Sequence, residues 1–323
     1  GNVAAGLTTA TNVLNNTTGA YIKGAALNGI SNTDATEVDV KAENKSDAYA
    51  IAVGVAASTN ASGGAANGAV AVNKGVNNTE AIIDKADNDN RTTINNAKTI
   101  GINAIDETKL KAISGGVTFS SGYAGVGGAV SYNQIGEAGE NKQQRITAQL
   151  NNTDITTANE DSTITVAAQD KSDMLAIAAG LALTTGSTGA AAQGSAATTI
   201  LHKNNVASMD GTNIDKTADA KAKLEVTATS RAKTITSADA IGLTAGNFAG
   251  GAAVAVTNSN SNTDASITGG TLTGGTLNLQ SGKVQADSDV KIINVGVGVA
   301  AATGQGGALA GNVAVNNIKN DTL

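Results

Sequence analysis

Acidic side chains are the residues of this chain with the clearest potential for chemistry. Two groups are spaced closely enough to supply oxygen ligands to Ca²⁺: Asp84, Asp87 and Asp89, and Asp34, Glu37 and Asp39. Calcium binds carboxylate oxygens and needs no histidine or cysteine. Solvated charged loops explain both groups more simply, and the sequence lacks the Asp-bearing, glycine-rich nonapeptide of calcium-stacked β-rolls. We therefore assign no metal ligand.

Another set of carboxylates has the chemistry needed for acid and base catalysis on a polysaccharide: Glu137, Glu140, Glu160, Asp161 and Asp210. These residues lie in segments that vary between repeats, and no aromatic platform nearby could stack a sugar ring. A solvated face is the simpler interpretation. We predict a non-enzymatic protein with no catalytic residue, and keep a polysaccharide-processing β-helix enzyme as the alternative.

Composition excludes most other site chemistry. The chain has one histidine, His202, and no cysteine, so zinc catalysis and thiolate nucleophiles are excluded. We interpret His202 as a solvated surface residue. The glycine-rich run at 122–128 is similar to a phosphate-binding loop, but such a loop needs a helix after it, and here a strand-like run follows. We interpret it as a turn and predict no cofactor.

Charge and hydropathy also limit the partners. The chain carries 21 Lys and Arg against 27 Asp and Glu, for a net charge of −6, and the basic residues are scattered. This pattern disfavours nucleic acid and anionic membranes. The apolar runs at 51–57 and 292–302 are far shorter than the roughly 20 residues of a membrane helix. No small-molecule substrate is indicated.

Internal repetition is the strongest signal in the sequence. A Gly-Ala-Val-Ala-Val-Asn block recurs in five copies, whose last residues are Asn73, Asn133, Thr199, Thr257 and Asn316. These marks are about 60 residues apart, with a longer step between 133 and 199. Each unit adds an apolar stretch spaced by glycines, a glycine-rich turn and a polar segment. A repeat that cannot bury its own apolar face is typical of a solenoid.

The segments that close each unit alternate between apolar and polar residues, which predicts strands: 38–42, 110–112, 164–168, 224–228 and 277–280. Only 215–226 has some helical character. The absence of proline fits a stack in which every strand donates its amides to a neighbour. Matching Asn and Thr residues should form hydrogen-bonded ladders.

We predict one continuous all-β solenoid over residues 1–323, with about five repeats of roughly three coils each. If one coil takes about 20 residues, about 16 coils stack into a rod near 75 Å long.

The repeated block and the segments Asn77–Ile82 and Val38–Ala50 resemble the repeat regions of large bacterial filamentous adhesins of the leukotoxin and filamentous-haemagglutinin type. The resemblance covers nearly the whole chain. It implies a right-handed parallel β-helix and type V secretion. It also implies an extracellular location, on the cell surface or in a shed filament of a Gram-negative-type bacterium, and adhesion to a host-cell or bacterial receptor.

The two ends of the chain share one phase of the repeat. The block at 1–6 matches the block at 311–316, and neither end has the polar character of a solenoid cap. Bare end strands invite further pairing. We therefore expect a fragment of a longer array, or a subunit that stacks end to end with itself.

Overall fold

A computed structural model describes residues 3–29, 35–87, 89–139, 142–158, 161–215, 221–273 and 279–323. This part of the chain is all-β, with parallel strands and no helix, as a solenoid requires. Sheet A contains β1 (Val3–Lys23), β4 (Gly64–Asp84), β6 (Ala124–Ile135), β7 (Gln144–Asn151), β10 (Ala190–Asp210), β13 (Phe248–Thr268) and β16 (Gly307–Thr322).

The second sheet, sheet B, combines long and short strands. Its long strands are β3 (Thr36–Ser58), β5 (Thr92–Ser120), β9 (Ser162–Thr184), β12 (Ala222–Thr244) and β15 (Leu279–Ala302). Its short strands are β2 (Ala26–Leu27), β8 (Thr153–Thr157), β11 (Asn213–Asp215) and β14 (Thr271–Thr273). The start of β5 pairs with the short strands and the rest of β5 pairs with β3 and β9.

The chain passes through these stacks in a fixed order. A full turn of the solenoid, here called a rung, contains a length of sheet A, one short segment and one long strand of sheet B. In one rung the sheet A part is divided into β6 and β7, in another β5 supplies both sheet B segments, and the last rung is represented by β16. Register partners lie about one sequence repeat apart: Gly64 pairs with Ala124, which pairs with Ala190. Ala190 in turn pairs with Phe248, and Phe248 with Gly307.

The five repeat marks consequently lie side by side on one ladder of sheet A. The same ladder includes Asn12 on β1, the partner of Asn73. The prediction of three coils per repeat was wrong, because one repeat supplies one strand to each long stack. The assumed coil of about 20 residues is close to the length of a single strand.

The dimensions of the molecule change accordingly. Six rungs of sheet A spaced by about 4.8 Å extend roughly 24 Å along the stack, whereas strands of 21 to 24 residues extend roughly 70 to 80 Å. The expected rod of about 75 Å along the stacking axis is therefore not found. For this chain, the strands give the long dimension.

The interior between the two sheets narrows toward one edge. Near the short strands it is filled by Ile, Leu and Val side chains such as Ile102, Leu150 and Val226. Toward the tight turns that join sheet B to sheet A, buried alanines replace them, including Ala178 and Ala253. Small side chains let the sheets approach so closely that a Cβ on Gly242 would lie 2.1 Å from the carbonyl oxygen of Gly250.

The tight turns continue the backbone ladders from rung to rung. The amide of Ser121 donates to the oxygen of Ser58, and the amide of Thr185 donates to the oxygen of Ser120, both at 2.9 Å. The glycine-rich turns of the repeats lie at this edge, for example at 62–64 and 304–307. The run at 122–128 also begins in such a turn and enters β6, as interpreted from the sequence.

One rung contains an insertion. The chain leaves sheet A after Ile135, at the end of β6, and returns to it at Gln144, where β7 begins; residues 140 and 141 lie outside the described chain. The two strands pair with consecutive parts of β10. Gly136 starts the excursion with a φ of 66°. This insertion accounts for the longer spacing between the marks Asn133 and Thr199, because the ladders on either side of it keep their alignment.

Candidate functional site

The repeat mark itself forms a ladder of polar side chains inside the solenoid. The Asn12 amide donates to Asn73 Oδ1 at 2.9 Å, and the Asn73 amide donates to Asn133 Oδ1 at 3.0 Å. Asn133 then donates to the oxygen of Leu175 on sheet B at 2.7 Å. The predicted ladder of matching Asn residues is therefore present, and it also joins the two sheets.

A second polar layer crosses the interior at mid-strand, and Asp106 is at its centre. This carboxylate is completely buried and accepts hydrogen bonds from Asn44 and Gln144 at 2.7 Å. The hydroxyls of Thr108 and Thr79 also donate to it, at 2.7 Å and 3.2 Å. Burial raises the pKa of Asp106 to about 6, although these donors oppose the shift.

An ion pair, Lys203 with Asp170, lies in the same layer. The side chains are 1% and 0% exposed, and the Lys203 ammonium contacts Asp170 Oδ2. Ser230 donates to Asp170 Oδ2 at 3.1 Å, and Ser172 donates to Asp170 Oδ1 at 2.9 Å. Lysine is rarely buried completely unless it is paired. Among the described residues, Lys203 is the largest fully buried side chain.

Register explains how the sequence assembles this layer. Strand alternation directs Asn44, Asp106, Asp170 and Ser230 inward, and they occupy consecutive positions of one sheet B ladder. Lys203 comes from sheet A, where its ladder neighbours are Gln144 and Ser261. Uncharged polar side chains thus occupy most positions of the layer, and the charged groups lie in the middle rungs.

Outside the solenoid, charge is divided between two halves of the cross-section. The half near the tight turns has no charged residue except Asp239 over the segments 3–14, 48–73, 112–136, 174–201, 234–259 and 292–318. Its outward side chains are largely apolar. Exposed examples are Val53 and Val299 on sheet B, and Val130 and Val313 on sheet A.

Such a surface marks an interaction site more often than a random surface does. The opposite half carries the exposed ion pairs, for example Lys171 with Glu107 at 3.0 Å and Arg91 with Asp154 at 3.0 Å.

Both ends of the stack leave strands with one neighbour. In the described chain, β1 pairs only with β4, β16 only with β13, β3 only with β5, and β15 only with β12. The backbone groups along the outer sides of these strands are available for pairing with another strand.

The acidic groups considered for calcium are used in local contacts. Asp84 Oδ1 accepts hydrogen bonds from Asn152 at 3.0 Å and from the Lys85 amide at 2.7 Å. Asp89 contacts the Lys85 ammonium. In the second group, Glu37 and Asp39 are on β3 and Asp34 is outside the described residues. No cluster of three or more potential metal ligands occurs within the described ranges.

The carboxylates considered for polysaccharide cleavage lie on separate elements. Glu137 is in the insertion and pairs with Lys142 at 3.8 Å. Asp161 precedes β9, where it accepts a hydrogen bond from the Lys221 amide at 3.1 Å, and Asp210 ends β10. Glu140 and Glu160 are outside the described residues.

His202 is not the solvated surface residue that we predicted. It is 8% exposed, because it lies on β10 opposite the point where the insertion leaves sheet A. A Cβ on Gly136 would lie 2.0 Å from the oxygen of His202. Burial lowers the pKa of His202. The segment 215–226 also differs from expectation, because Ala222 begins β12, while residues 216–220 are outside the description.

Sequence reasoning missed the Lys203–Asp170 pair and Asp106. One signal was available: Asp106 and Asp170 occupy inward positions of the period-two alternation, where the other buried residues of these strands are uncharged. Charged residues at such positions indicate a buried polar contact.

Comparison with known protein families, curated proteins and solved structures gives no match to this chain. The described residues also contain no helix with the length and hydropathy needed to span a membrane.

Proposed function

We propose that this chain is a non-enzymatic structural segment of a secreted or cell-surface bacterial adhesin fibre, wound as a right-handed β-solenoid. Its role is to extend and present a surface. Its partners are further rungs of the same kind, joined end to end, and a receptor on a host cell or another bacterium.

One observation carries the proposal. Equivalent positions of successive repeats pair in register in sheet A, from β1 to β16, and among the described residues β1 and β16 each pair with a strand on one side. A further rung added at either end would find the same ladder of backbone groups that joins the existing rungs. The fold therefore supports growth along one axis, as a fibre requires.

Self-association is tested by light scattering after gel filtration and by electron microscopy over a range of protein concentrations. We expect elongated assemblies that grow with concentration and have an axial repeat of about 4.8 Å in fibre diffraction. Particles that remain single at every concentration would contradict end-to-end growth. Binding of labelled protein to host cells or bacteria tests the adhesive role separately.

A matched pair of variants, Ala314→Pro and Val315→Pro on β16, identifies the surface used. Successive backbone amides of a strand point to opposite sides. One of the two prolines therefore removes an N–H donor from the open edge of β16, and the other proline removes an N–H donor from the ladder between β16 and β13. We expect the edge variant to abolish assembly with unchanged thermal stability and the other to lower stability. Assembly that survives in both variants would place the contact elsewhere.

A further inference from the structure

We propose that Lys203 and Asp170 join through an intramolecular amide bond, an isopeptide cross-link that ties sheet A covalently to sheet B. The proposal concerns an internal modification site and is independent of the adhesive function. Its ligand is the chain itself, and its only other product is water.

The two reacting side chains are already in contact and isolated from solvent. Lys203 comes from β10 and Asp170 from β9, so the bond would link strands of opposite sheets within the interior. Other ion pairs described here, such as Lys171 with Glu107, are exposed to water. Fixed contact between a nucleophile and an electrophile makes the reaction effectively unimolecular, which removes much of its entropic barrier.

The reaction balances without an oxidant or an activating co-reactant. Proton transfer within the pair gives a neutral amine and a carboxylic acid. The Lys203 Nζ lone pair attacks Asp170 Cγ, the Nζ–Cγ bond forms, and the Cγ–Oδ1 bond breaks. Oδ1 leaves as water with two protons taken from the original ammonium, and the third proton remains on the amide nitrogen.

Two serines are placed to assist these steps. Ser172 Oγ accepts from Lys203 Nζ at 3.4 Å and donates to Asp170 Oδ1 at 2.9 Å, so it connects the proton source to the leaving oxygen. Ser230 donates to Asp170 Oδ2 at 3.1 Å, where negative charge develops in the tetrahedral intermediate. After the reaction, Ser230 can still donate to the amide oxygen and the amide N–H can donate to Ser172.

Electrostatics favours the product. A buried ion pair loses the hydration of both charges, and a neutral amide with the same contacts avoids this cost. Asp106 is the ladder neighbour of Asp170 and adds a second acidic group to the layer. Amide formation removes one of the two buried carboxylates and leaves Asp106 with its four hydrogen-bond donors.

Intact-mass spectrometry of the purified, denatured full chain tests the proposal directly. We expect a mass lower than that of the sequence by one water molecule. We also expect a tryptic product in which the peptides containing Lys203 and Asp170 remain joined. A chain that keeps its full sequence mass after prolonged incubation in the folded state would overturn the proposal and leave an ion pair only.

Variants assign the missing water to this pair. Lys203→Met and Asp170→Ala should each restore the full mass, whereas Lys171→Ala, which removes an exposed ion pair, should keep the deficit. Ser172→Ala should slow the loss of water in a time course after refolding, and an unchanged rate would exclude the relay. Because mass is read on the denatured wild-type chain, poor folding of a variant leaves the main result intact.

Discussion

At the scale of single residues, the inward polar side chains have two different structural roles. The ladder through Asn12, Asn73 and Asn133 satisfies amide groups from rung to rung and repeats the sequence mark. The layer around Asp106 instead places charged side chains in the middle rungs. The equivalent positions of the outer rungs carry uncharged residues. The first feature supports regular stacking, and the second makes the central rungs chemically distinct.

Burial of Asp106 should make the stability of the molecule depend on pH. Its folded pKa is raised to about 6, whereas an exposed aspartate has a pKa near 3.8. The protonated form is therefore favoured by folding. The resulting stabilisation is complete below the unfolded pKa, and it is lost as pH rises through about 6, by an amount on the order of 3 kcal/mol.

We expect urea unfolding of the wild type to show this fall in stability between about pH 4 and pH 7. In Asp106→Asn the fall should be much smaller, because the side chain no longer titrates. A variant with the same pH profile as the wild type would assign the dependence to other groups.

The Asn ladder could be predicted from sequence, and the charged layer could not. Asn residues that recur at a constant spacing come into contact as soon as successive repeats stack on one another. Lys203 meets Asp170 because two different sheets bring them together, and that meeting depends on which strand positions face each other across the interior. The alternation of β9 and β10 shows that both side chains point inward, but it does not align one strand with the other.

At the scale of elements, the narrow edge of the solenoid depends on glycine. A Cβ on Gly242 would lie 2.1 Å from the oxygen of Gly250 and would push the facing sheets apart. Gly194 lies on the outer face of sheet A, and nothing lies within 4 Å of an added Cβ there. The two glycines therefore differ in environment although both lie within strands.

We expect Gly242→Ala to lower the free energy of unfolding by about 1–3 kcal/mol, as overpacking does in well-packed interiors. Gly194→Ala should be neutral or slightly stabilising, because alanine restricts the unfolded chain. Denaturant titration of both variants measures the difference. Equal effects at the two positions would show that the sheets are farther apart than described.

Strand type was predictable, but coil length was not. Alternation in segments such as Val38–Ala42 and Leu224–Ala228 correctly indicated strands, and these belong to β3 and β12. Period-two alternation is the same in a strand of five residues and in one of 23. Glycines such as Gly54 also lie inside long strands without ending them.

At the scale of the whole molecule, one half of the cross-section is nearly free of charge and apolar on its outward faces. Val55 and Val299 lie on this surface with 66% and 42% exposure. Thr165 and Thr227 are outward residues of the same sheet in the charged half. The two pairs provide a matched comparison for adding two positive charges.

We expect Val55→Lys/Val299→Lys to weaken retention on a hydrophobic resin and to lower the fluorescence of an apolar dye, because the substitutions interrupt an exposed apolar patch. Thr165→Lys/Thr227→Lys should change neither quantity appreciably. Both double variants should keep their stability within about 1 kcal/mol of the wild type, since they alter surface positions only. Equal dye binding in all three proteins would contradict the exposure of this patch.

The one-repeat rung has a consequence for how folding starts. The strand ladders run between rungs, so a single repeat of about 60 residues has almost no ladder of its own and little to offset the entropy of closing its loop. A nucleus therefore needs two neighbouring repeats at once. During synthesis, the chain should stay unfolded until roughly 120 residues have emerged, and each later repeat then adds to an existing template.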